Sequence, residues 1–509
     1  MALSRRSLLR LGLTSAGAAI LAACGQAATP TTAPTGAQGA GAKPATEAPK
    51  PAAASTSAPA APATKPAAAT TAPAAGAATK PAEPTKPAAA GQATTAPAAP
   101  AATPAPAVIG AGQKQIWWAT PGNPDEIKVY QATAERFVQA NPGYSVKTDR
   151  NASDRDKLVT AIAGNQAPDV IFSTINDFPS FGVKNVFAPL DDNLKGSNFD
   201  LDDFYPQILK PYRMEGKRFG DGKLYGLPKE IAVRSMFYNA DIFKEVGVKD
   251  PDPREAWSWD QYRESILKTV KREGDRTVRY GYVQETWWGP WAIWAWSNGG
   301  EVVDDPWSPT KATMDDPKVV EALTLWTDFV TKDKAAPAPA VTQQQGKAEM
   351  FAGGLAATYN NGRWNVPLFR KSTFNWDVMA MPKKQQRAQL LTGSIFGIWS
   401  GTKIKDDAWR LLSYVSGKDA QKLMTELGLL LPSRKSVAES DVFLKSTPPT
   451  NNSVYIDELQ YAKILPMHAR YPEMQKAVDD QVALVLAGSR SVADAVKEMN
   501  AKVNSILKE

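Results

Sequence analysis

Residues 114–150, KQIWWATPGNPDEIKVYQATAERFVQANPGYSVKTDR, contain the pattern that decides the fold. A short apolar strand over 114–120 ends in a Pro-Gly turn, and apolar residues at helical spacing follow over 125–141. Alternation over 144–150 predicts the next strand, and a helical segment and the buried strand PDVIFST (168–174) come after it. This β-α-β-α-β order predicts a mixed α/β fold with a parallel sheet and helices on its faces.

The carboxyl ends of the predicted strands indicate where a ligand binds, because ligands of open α/β sheets lie at that edge. Residues 118–123 and 173–177 follow two of these strands, so we expect them on one rim of a site. Further along the chain, helical spacing recurs at 257–270, 316–333, 405–416, 419–428, 472–488 and 491–509. The region from 113 to 509 is long enough for two lobes.

The N-terminus, MALSRRSLLRLGLTSAGAAILAACGQ, has the layout of an export signal. Arginines precede an apolar run over 11–23 that is too short for an ordinary membrane-spanning helix. The arginine pair resembles a twin-arginine signal, and the general secretory route stays open. Residues 21–24, Leu-Ala-Ala-Cys, resemble the lipobox of bacterial lipoproteins. We therefore predict a signal peptide over 1–23 and a lipid on Cys24, although a chance cysteine would give the same letters.

Residues 24–112 are rich in Ala, Pro and Thr and contain no aromatic residue. Such a composition does not bury enough apolar surface to offset the entropy of ordering, so we predict a disordered tether. Most of the formal net charge of +7 belongs to the signal and the tether, which leaves the domain from 113 onward nearly neutral. The charge therefore gives no argument for nucleic-acid binding.

The single cysteine and the single histidine exclude several kinds of chemistry. With Cys24 lipidated there is no disulfide, and a multi-His or Cys/His zinc site cannot form. A Ser-His-Asp triad would have to use His468, which is more simply a structural residue. We predict no catalytic residue, no metal and no cofactor.

Several segments from 113 to 509 resemble, in register, the bacterial extracellular solute-binding proteins of the sugar-binding family, which includes maltose-binding protein. The segments are IWW (116–118), FVQANPGYSVK (137–147), GNQAPDVIF (164–172), LYGLP (224–228), FYNADIFKEVG (237–247), WSWDQY (257–262), SNGGEVVDD (297–305), GKAEMFAGG (346–354), NNGRW (360–364), GSIFGIWSGTKIKDDAWRLLSYVS (393–416) and LGLLLPSRKSV (427–437). The family often has KAAM where this chain has KAEM. Rim residues differ from those of maltose binders, so the identity of the substrate does not transfer.

The resemblance implies a periplasmic-binding-protein-like, two-lobe (Venus flytrap) fold with hinge crossovers. Lobe 1 would comprise about 113–230 and 390–431, and lobe 2 about 235–388 and 432–509. The family traps its ligand between the lobes and delivers it to the membrane permease of an ABC importer. The chain would cross between lobes near 229–234, near 389–397 and near Leu431.

Sugars present apolar C–H faces and a rim of hydroxyls, so a sugar site needs aromatic rings and planar polar groups. Five tryptophans lie in ETWWGPWAIWAWSNGG (285–300), where Pro290 suits the first turn of a helix that ends at Asn298. Trp287 and Trp288 precede that helix and are candidate ligand contacts, and Trp291 is intermediate. We expect Trp294 and Trp296 to pack in the core.

Other candidate contacts follow from the resemblance. Trp364 matches a stacking tryptophan of related sugar binders. Arg363 beside it could bridge hydroxyls, could contact an acidic group or could be a surface residue. Asn176 and Asp177 align with a polar binding loop, although a turn explains them equally well. Trp118 is either the floor of the site or part of the strand packing. At the return crossing, Gly393 and Ser394 would allow the backbone to approach the ligand.

The leading hypothesis is a monomeric, lipid-anchored, extracytoplasmic receptor that binds a sugar or oligosaccharide and feeds an importer. The same receptor could instead bind a peptide, a polyamine or a phosphorylated polyol. An exported carbohydrate-active enzyme is the competing class, because it also uses aromatic clusters and paired carboxylates. The available pairs, Asp304/Asp305 and Asp191/Asp192, lie in turn-like sequence.

Cys24→Ser tests the predicted anchor. A serine hydroxyl does not replace the thiol that is acylated, so we expect the variant to leave the membrane fraction and appear in the soluble extracytoplasmic fraction. Fractionation and immunoblotting against wild type measure this. Continued membrane association of the variant would contradict the lipobox.

Overall fold

The computed structural model describes residues 105–509. The predicted signal peptide, Cys24 and the predicted tether up to residue 104 lie outside the described residues. No helix within 105–509 combines the length and the hydrophobicity that a membrane span requires.

The described chain alternates strands and helices along its length. The strands are β1 (Ala107–Ile109), β2 (Lys114–Ala119), β3 (Tyr144–Asp149), β4 (Val170–Thr174), β5 (Arg213–Glu215), β6 (Arg218–Phe219), β7 (Lys223–Leu224), β8 (Leu227–Val233), β9 (Ser235–Asn239), β10 (Lys271–Glu273), β11 (Arg276–Val283), β12 (Ala356–Asn361), β13 (Trp376–Met379), β14 (Gln389–Ile398) and β15 (Ala462–Lys463).

The helices differ widely in length. They are α1 (Pro124–Ala140), α2 (Arg155–Ala163), α3 (Phe178–Gly182), α4 (Asp191–Lys195), α5 (Pro206–Leu209), α6 (Ala240–Glu245), α7 (Trp259–Thr269), α8 (Trp288–Ser297), α9 (Pro317–Thr331), α10 (Pro339–Gln345), α11 (Lys347–Ala352), α12 (Val366–Phe369), α13 (Lys405–Val415), α14 (Lys418–Glu426), α15 (Lys435–Ala438), α16 (Asp441–Leu444), α17 (Ser453–Asp457), α18 (Tyr471–Leu486) and α19 (Val492–Leu507).

Two sheets define the two lobes. The seven-stranded sheet of lobe 1 has the order β1-β3-β2-β4-β14-β15, with β8 also paired to β14. The five-stranded sheet of lobe 2 has the order β10-β11-β12-β9-β13. Strands β3, β2 and β4 are parallel neighbours, so the predicted β-α-β-α-β order is confirmed. The helices predicted by spacing are confirmed as α7, α9, α13, α14, α18 and α19.

The first helix shows how local sequence sets these elements. Asn123 caps α1 by accepting from the backbone N–H of Asp125 and Glu126, and Glu126 accepts in return from the N–H of Asn123. This reciprocal capping box fixes where the chain turns from β2 into α1. The turn lies at the carboxyl end of β2, where the ligand edge was expected.

The folded chain begins earlier than the predicted boundary at residue 113. Residues Ala107–Ile109 form β1, which pairs antiparallel with β3 from Ala107 opposite Thr148 to Ile109 opposite Val146. The apolar pair Val108-Ile109 suits a strand, and pairing satisfies the backbone groups along the edge of β3. An ordered strand therefore lies inside the segment that its composition predicts to be disordered.

The chain passes between the sheets in three places. Arg234 is the single residue between β8 in lobe 1 and β9 in lobe 2, and β14 returns to lobe 1 from Gln389. The third crossing lies beyond the predicted position at Leu431, because Arg434 still pairs with Asp203 of lobe 1. The chain reaches lobe 2 at Asn451, whose N–H donates to Asp377 of β13.

Gly281→Ala tests the contact between β11 and α7. A Cβ at Gly281 would lie 2.4 Å from the backbone oxygen of Ile266, which cannot move independently of its helix. We expect the variant to lose about 1–3 kcal/mol of unfolding free energy, as overpacked cores do. Thermal denaturation followed by circular dichroism measures the loss.

Gly143→Ala is the matched control, because a Cβ there meets no atom within 4 Å. Its melting temperature should stay close to that of wild type. Equal melting temperatures for the two variants would contradict the close approach at Gly281.

Candidate functional site

A cavity of about 330 Å³ opens between the two sheets, beside the crossing strands. Lobe 1 contributes Glu126 from α1 and Thr174, Ile175 and Asn176 from the end of β4. The crossing strands contribute Lys229, Glu230, Arg234, Thr392, Gly393 and Ser394. Lobe 2 contributes Trp287 and Trp364. The predicted ligand edge therefore forms one wall of the cavity.

Two of the predicted aromatic residues lie on the lobe 2 side of this cavity. Trp287 occupies the N-cap position of α8, and Trp364 lies in the short turn that follows β12. Both rings are partly exposed. Glycines lie under both rings, since a Cβ at Gly289 would meet Trp287 at 2.3 Å and one at Gly362 would meet Trp364 at 2.0 Å. Glycine at these two positions therefore leaves room for the rings close to the backbone.

Three further predicted residues line the cavity. Asn176 lies there, whereas Asp177 beside it does not line it. Gly393 has φ of 153°, and a Cβ there would approach the backbone oxygen of Glu230 at 3.0 Å, so the crossing needs glycine at this position. The Ser394 hydroxyl donates to Glu230 Oε1 over 2.9 Å. Ser394 thus orients a carboxylate at the cavity wall.

Trp118 and Trp288 are not in the cavity, which corrects their assignment as ligand contacts. Trp118 has no exposed surface and packs edge-on against Tyr130 and Phe396, at ring centroid distances of 5.6 and 5.1 Å. Trp288 is also fully buried and stacks on Tyr471. The reason is that α8 begins at Trp288, two residues before the predicted start, so this ring points into lobe 2.

The other tryptophans of α8 belong to the core of lobe 2. Trp291, Trp294 and Trp296 have at most 1% of their surface exposed. The prediction that Trp294 and Trp296 pack in the core is confirmed.

Arg363 and Asp177 are also placed away from the cavity. Arg363 is buried, and its guanidinium donates to the backbone oxygens of Gly428 and Leu430 over 2.8 and 2.9 Å. Burial lowers its pKa to about 10. Asp177 accepts from the Thr174 hydroxyl over 2.9 Å and pairs with Arg155 at 3.2 Å. Both residues hold the chain in place.

Four charged residues that line the cavity were missed from the sequence: Glu126, Lys229, Glu230 and Arg234. Lys229 Nζ and Glu230 Oε1 form a buried ion pair at 2.7 Å. Burial opposes the charge on Lys229, but Glu230 and Glu126 outweigh this effect and raise its pKa. The sequence did contain a signal for these residues, namely the two charges inside the apolar run LPKEIAV. Buried charges usually have a specific partner or function.

Arg234 lies at the junction of the lobes. Its Nη1 donates to the backbone oxygen of Asn360 over 3.4 Å and to Asn361 Oδ1 over 3.2 Å. Its guanidinium carbon lies 5.1 Å from the ring centroid of Trp287 and 5.8 Å from that of Trp364. Cation–π contacts of this kind hold a guanidinium against aromatic faces. Arg234 and the two tryptophans therefore form one group.

The carboxylate pairs proposed for an enzyme do not line the cavity. Asp304 lies on an exposed loop, where it accepts from the backbone N–H of Thr310 and Lys311. Asp191 accepts from the N–H of Leu224 over 3.2 Å, and Asp192 is exposed. Residues 105–509 contain no group of three His, Cys, Asp or Glu side chains arranged to hold a metal. The cavity instead combines aromatic faces with hydrogen-bonding groups.

Glu126→Gln tests the burial of the cavity carboxyl. Burial raises the pKa of Glu126 from 4.5 to about 7, despite the nearby positive charge of Lys229. The folded state thus keeps a proton that the unfolded state releases, so stability falls as pH rises through this window. Gln keeps the capping acceptor and does not titrate. We expect its stability relative to wild type to rise by about 1–3 kcal/mol from mildly acidic to mildly basic pH.

Denaturant unfolding at a series of pH values measures this difference. Glu135→Gln is the control, because Glu135 is exposed on the same helix. Parallel pH profiles for wild type and Glu126→Gln would show that the buried carboxyl does not titrate in this range.

Comparison with known proteins agrees with this architecture. A family model described as bacterial extracellular solute-binding protein matches residues 132–449. The diacetylchitobiose binding protein of Streptomyces coelicolor is 22% identical over 412 residues, which cover 78% of this chain and 90% of that protein.

Solved structures share the two-lobe fold. An ABC substrate-binding protein of Listeria monocytogenes in complex with cycloalternan has a TM-score of 0.71 and 25% identity, over 78% of this chain and 99% of that one. A solute binding protein of Thermotoga lettingae bound with α-D-tagatose has a TM-score of 0.68 and 23% identity, over 78% of this chain and all of that one, 100%. With its family match, its two α/β lobes and a cavity at their crossing strands, this chain belongs to the bacterial extracellular solute-binding proteins.

Proposed function

We propose that the protein is a non-catalytic receptor that binds a sugar or oligosaccharide in the cavity between its lobes and delivers it to the permease of an ABC importer. The observation that carries this proposal is the pair of partly exposed tryptophans, Trp287 and Trp364, on one wall of the cavity. Opposite them lie polar groups of lobe 1 and the crossing strands, among them Asn176.

This combination suits a sugar for two reasons. Contact between apolar C–H faces and an indole ring stabilises a complex. The ring loses little conformational entropy on binding, because it already lies close to the backbone. Hydroxyl groups need directed partners, and the cavity wall offers an amide at Asn176. It also offers hydroxyl oxygens as acceptors at Thr174 and Thr392, whose protons are donated to Asp177 and to the backbone oxygen of Ala232. A mostly preformed cavity with a few polar groups is typical of small-molecule sites.

The ligands of the relatives support the same class of solute. The named proteins bind diacetylchitobiose, cycloalternan and tagatose, which differ in size and linkage. Their variety supports carbohydrate as the class and leaves the individual sugar open. In this proposal the protein is a monomer outside the cytoplasm, held to the membrane by a lipid on Cys24. Cys24 itself lies outside the described residues.

A thermal-shift panel of mono- and oligosaccharides tests the class of ligand. A ligand that binds only the folded state raises the melting temperature in a concentration-dependent way. If no carbohydrate stabilises the protein, the sugar proposal fails.

Trp364→Ala then tests the site with a carbohydrate from that panel. Removing the ring deletes an apolar stacking surface, so we expect affinity to fall roughly tenfold or more by calorimetry. Trp409→Ala is the matched control, because Trp409 is a partly exposed residue of α13 that packs on Phe199, away from the cavity. An equal loss of affinity in both variants would remove Trp364 from the site.

A further inference from the structure

Arg234 is a buried cation without an anionic partner. Only 5% of its surface is exposed, yet no carboxylate of residues 105–509 lies within 4.0 Å of its nitrogens. Its Nε is buried and has no hydrogen-bond partner within the same residues. Burial of a charge is costly unless the charge is paired and its donors are satisfied. Arg234 therefore has at least one buried hydrogen-bond donor that no acceptor in the described residues uses.

Arg363 shows what a satisfied buried arginine looks like in the same fold. All three of its nitrogens donate: Nη1 to two backbone oxygens, Nη2 to Ser446 Oγ, and Nε to Asn452 Oδ1. Its acceptors come from the chain around it, so it needs no ligand. In Arg234 only Nη1 is hydrogen-bonded to the chain. Of these two buried arginines, the one with unused donors, Arg234, is the one that lines the cavity.

The charges around the cavity fall into two groups. On the lobe 1 side, Lys229 forms an ion pair with Glu230, and Glu126 lies close enough to help raise the pKa of Lys229. On the hinge side, the carboxylate that most favours the charged form of Arg234 is Glu285. Glu285 accepts from Lys347 over 3.0 Å, Tyr359 over 2.7 Å and Asn361 over 3.1 Å, and its ion pair is with Lys347 and not with Arg234. Within residues 105–509, no carboxylate on the hinge side is therefore in direct contact with the Arg234 guanidinium.

We propose that the solute carries an anionic group, a carboxylate or a phosphate, whose oxygens accept from Arg234 between Trp287 and Trp364. This inference rests on the proposed function and specifies its substrate class. A guanidinium presents several N–H donors in one plane, which suits the paired oxygens of both anions. The Trp287 and Trp364 rings lie beside the guanidinium, with their centroids 5.1 and 5.8 Å from its carbon. The sugar part of the same solute extends toward the polar wall at Asn176.

Calorimetry on the full-length chain with matched ligand pairs tests this proposal. One arm compares oligosaccharides of galacturonic and glucuronic acid with their methyl esters. The other compares sugar phosphates and glycerol 3-phosphate with the unphosphorylated parents. We expect the acidic member of at least one pair to bind roughly 10- to 100-fold more tightly, as for hydrogen bonds to a charged group. The arm in which this occurs distinguishes carboxylate from phosphate.

The outcomes separate this inference from the proposed function. Neutral members that bind as tightly as their acidic partners would overturn the inference and leave the sugar receptor intact. Binding of no carbohydrate, acidic or neutral, would overturn both. Preference for glycerol 3-phosphate without binding of any sugar would support the anionic site and contradict the sugar.

Arg234→Gln adds a test at the residue itself. The amide keeps a polar side chain but no charge, so the ratio of acidic to neutral affinity should fall to about one. Because the ratio is measured within one variant, partial destabilisation of the hinge does not affect it. If the variant does not fold, the wild-type ligand pairs still decide the question. An unchanged ratio in folded Arg234→Gln would overturn the assignment to Arg234.

Discussion

One buried amide joins the first two crossing segments to the segment before β15, and the position of the cavity depends on it. Gln389 Oε1 accepts from the backbone N–H of Arg234 over 3.2 Å, and Gln389 Nε2 donates to the backbone oxygen of Arg234 and to Glu458 Oε2. Arg234 belongs to the first crossing and Gln389 to the second, whereas Glu458 follows the third crossing and directly precedes β15. An amide has two donors and an acceptor with two lone pairs, so one side chain can make all these bonds. Without it, both backbone groups of Arg234 would be buried and unpaired.

This arrangement explains why the cavity contains buried charges. The crossing strands must bring the backbones of both lobes together, and their side chains fill the space between the sheets. Lys229 and Glu230 lie on the lobe 1 side of the crossing and form an ion pair, while Arg234 extends to the tryptophans of lobe 2. A ligand at Arg234 therefore touches a residue whose backbone is part of the hinge. Ligand contact and hinge geometry are thus linked through one side chain.

The sequence predicted the sheets better than it predicted the site, for identifiable reasons. Strand and helix spacing is a local signal, and it located β2 to β4 and most of the long helices. The distinction between Trp287 and Trp288 depends on whether α8 begins at residue 288 or 290, and helix boundaries are the least certain part of such predictions. The two-residue difference in the start of α8 places Trp288 in the core.

The missed residues illustrate a second limit. Arg363 resembled a ligand contact because it lies beside Trp364, but its side chain crosses to acceptors about 65 to 89 positions away in the chain, which no local pattern reveals. Lys229 and Glu230 were passed over because they lie within an apolar strand. Their partners come from α1 and β14, which are distant in sequence.

An ion pair between the lobes, at the edge of the cavity, indicates how strongly surface contacts control closure of the lobes. Lys371 of lobe 2 pairs with Asp125 of lobe 1 across the opening, with their side chains 60% and 21% exposed. Exposed ion pairs of this kind contribute about 0–1 kcal/mol and are screened by salt. A ligand shifts an open–closed equilibrium only by its difference in affinity for the two states. Because tryptophans of lobe 2 and polar groups of lobe 1 line the same cavity, a solute completes both sets of contacts only when the lobes approach. Closure is therefore better controlled by the bound solute than by the rim.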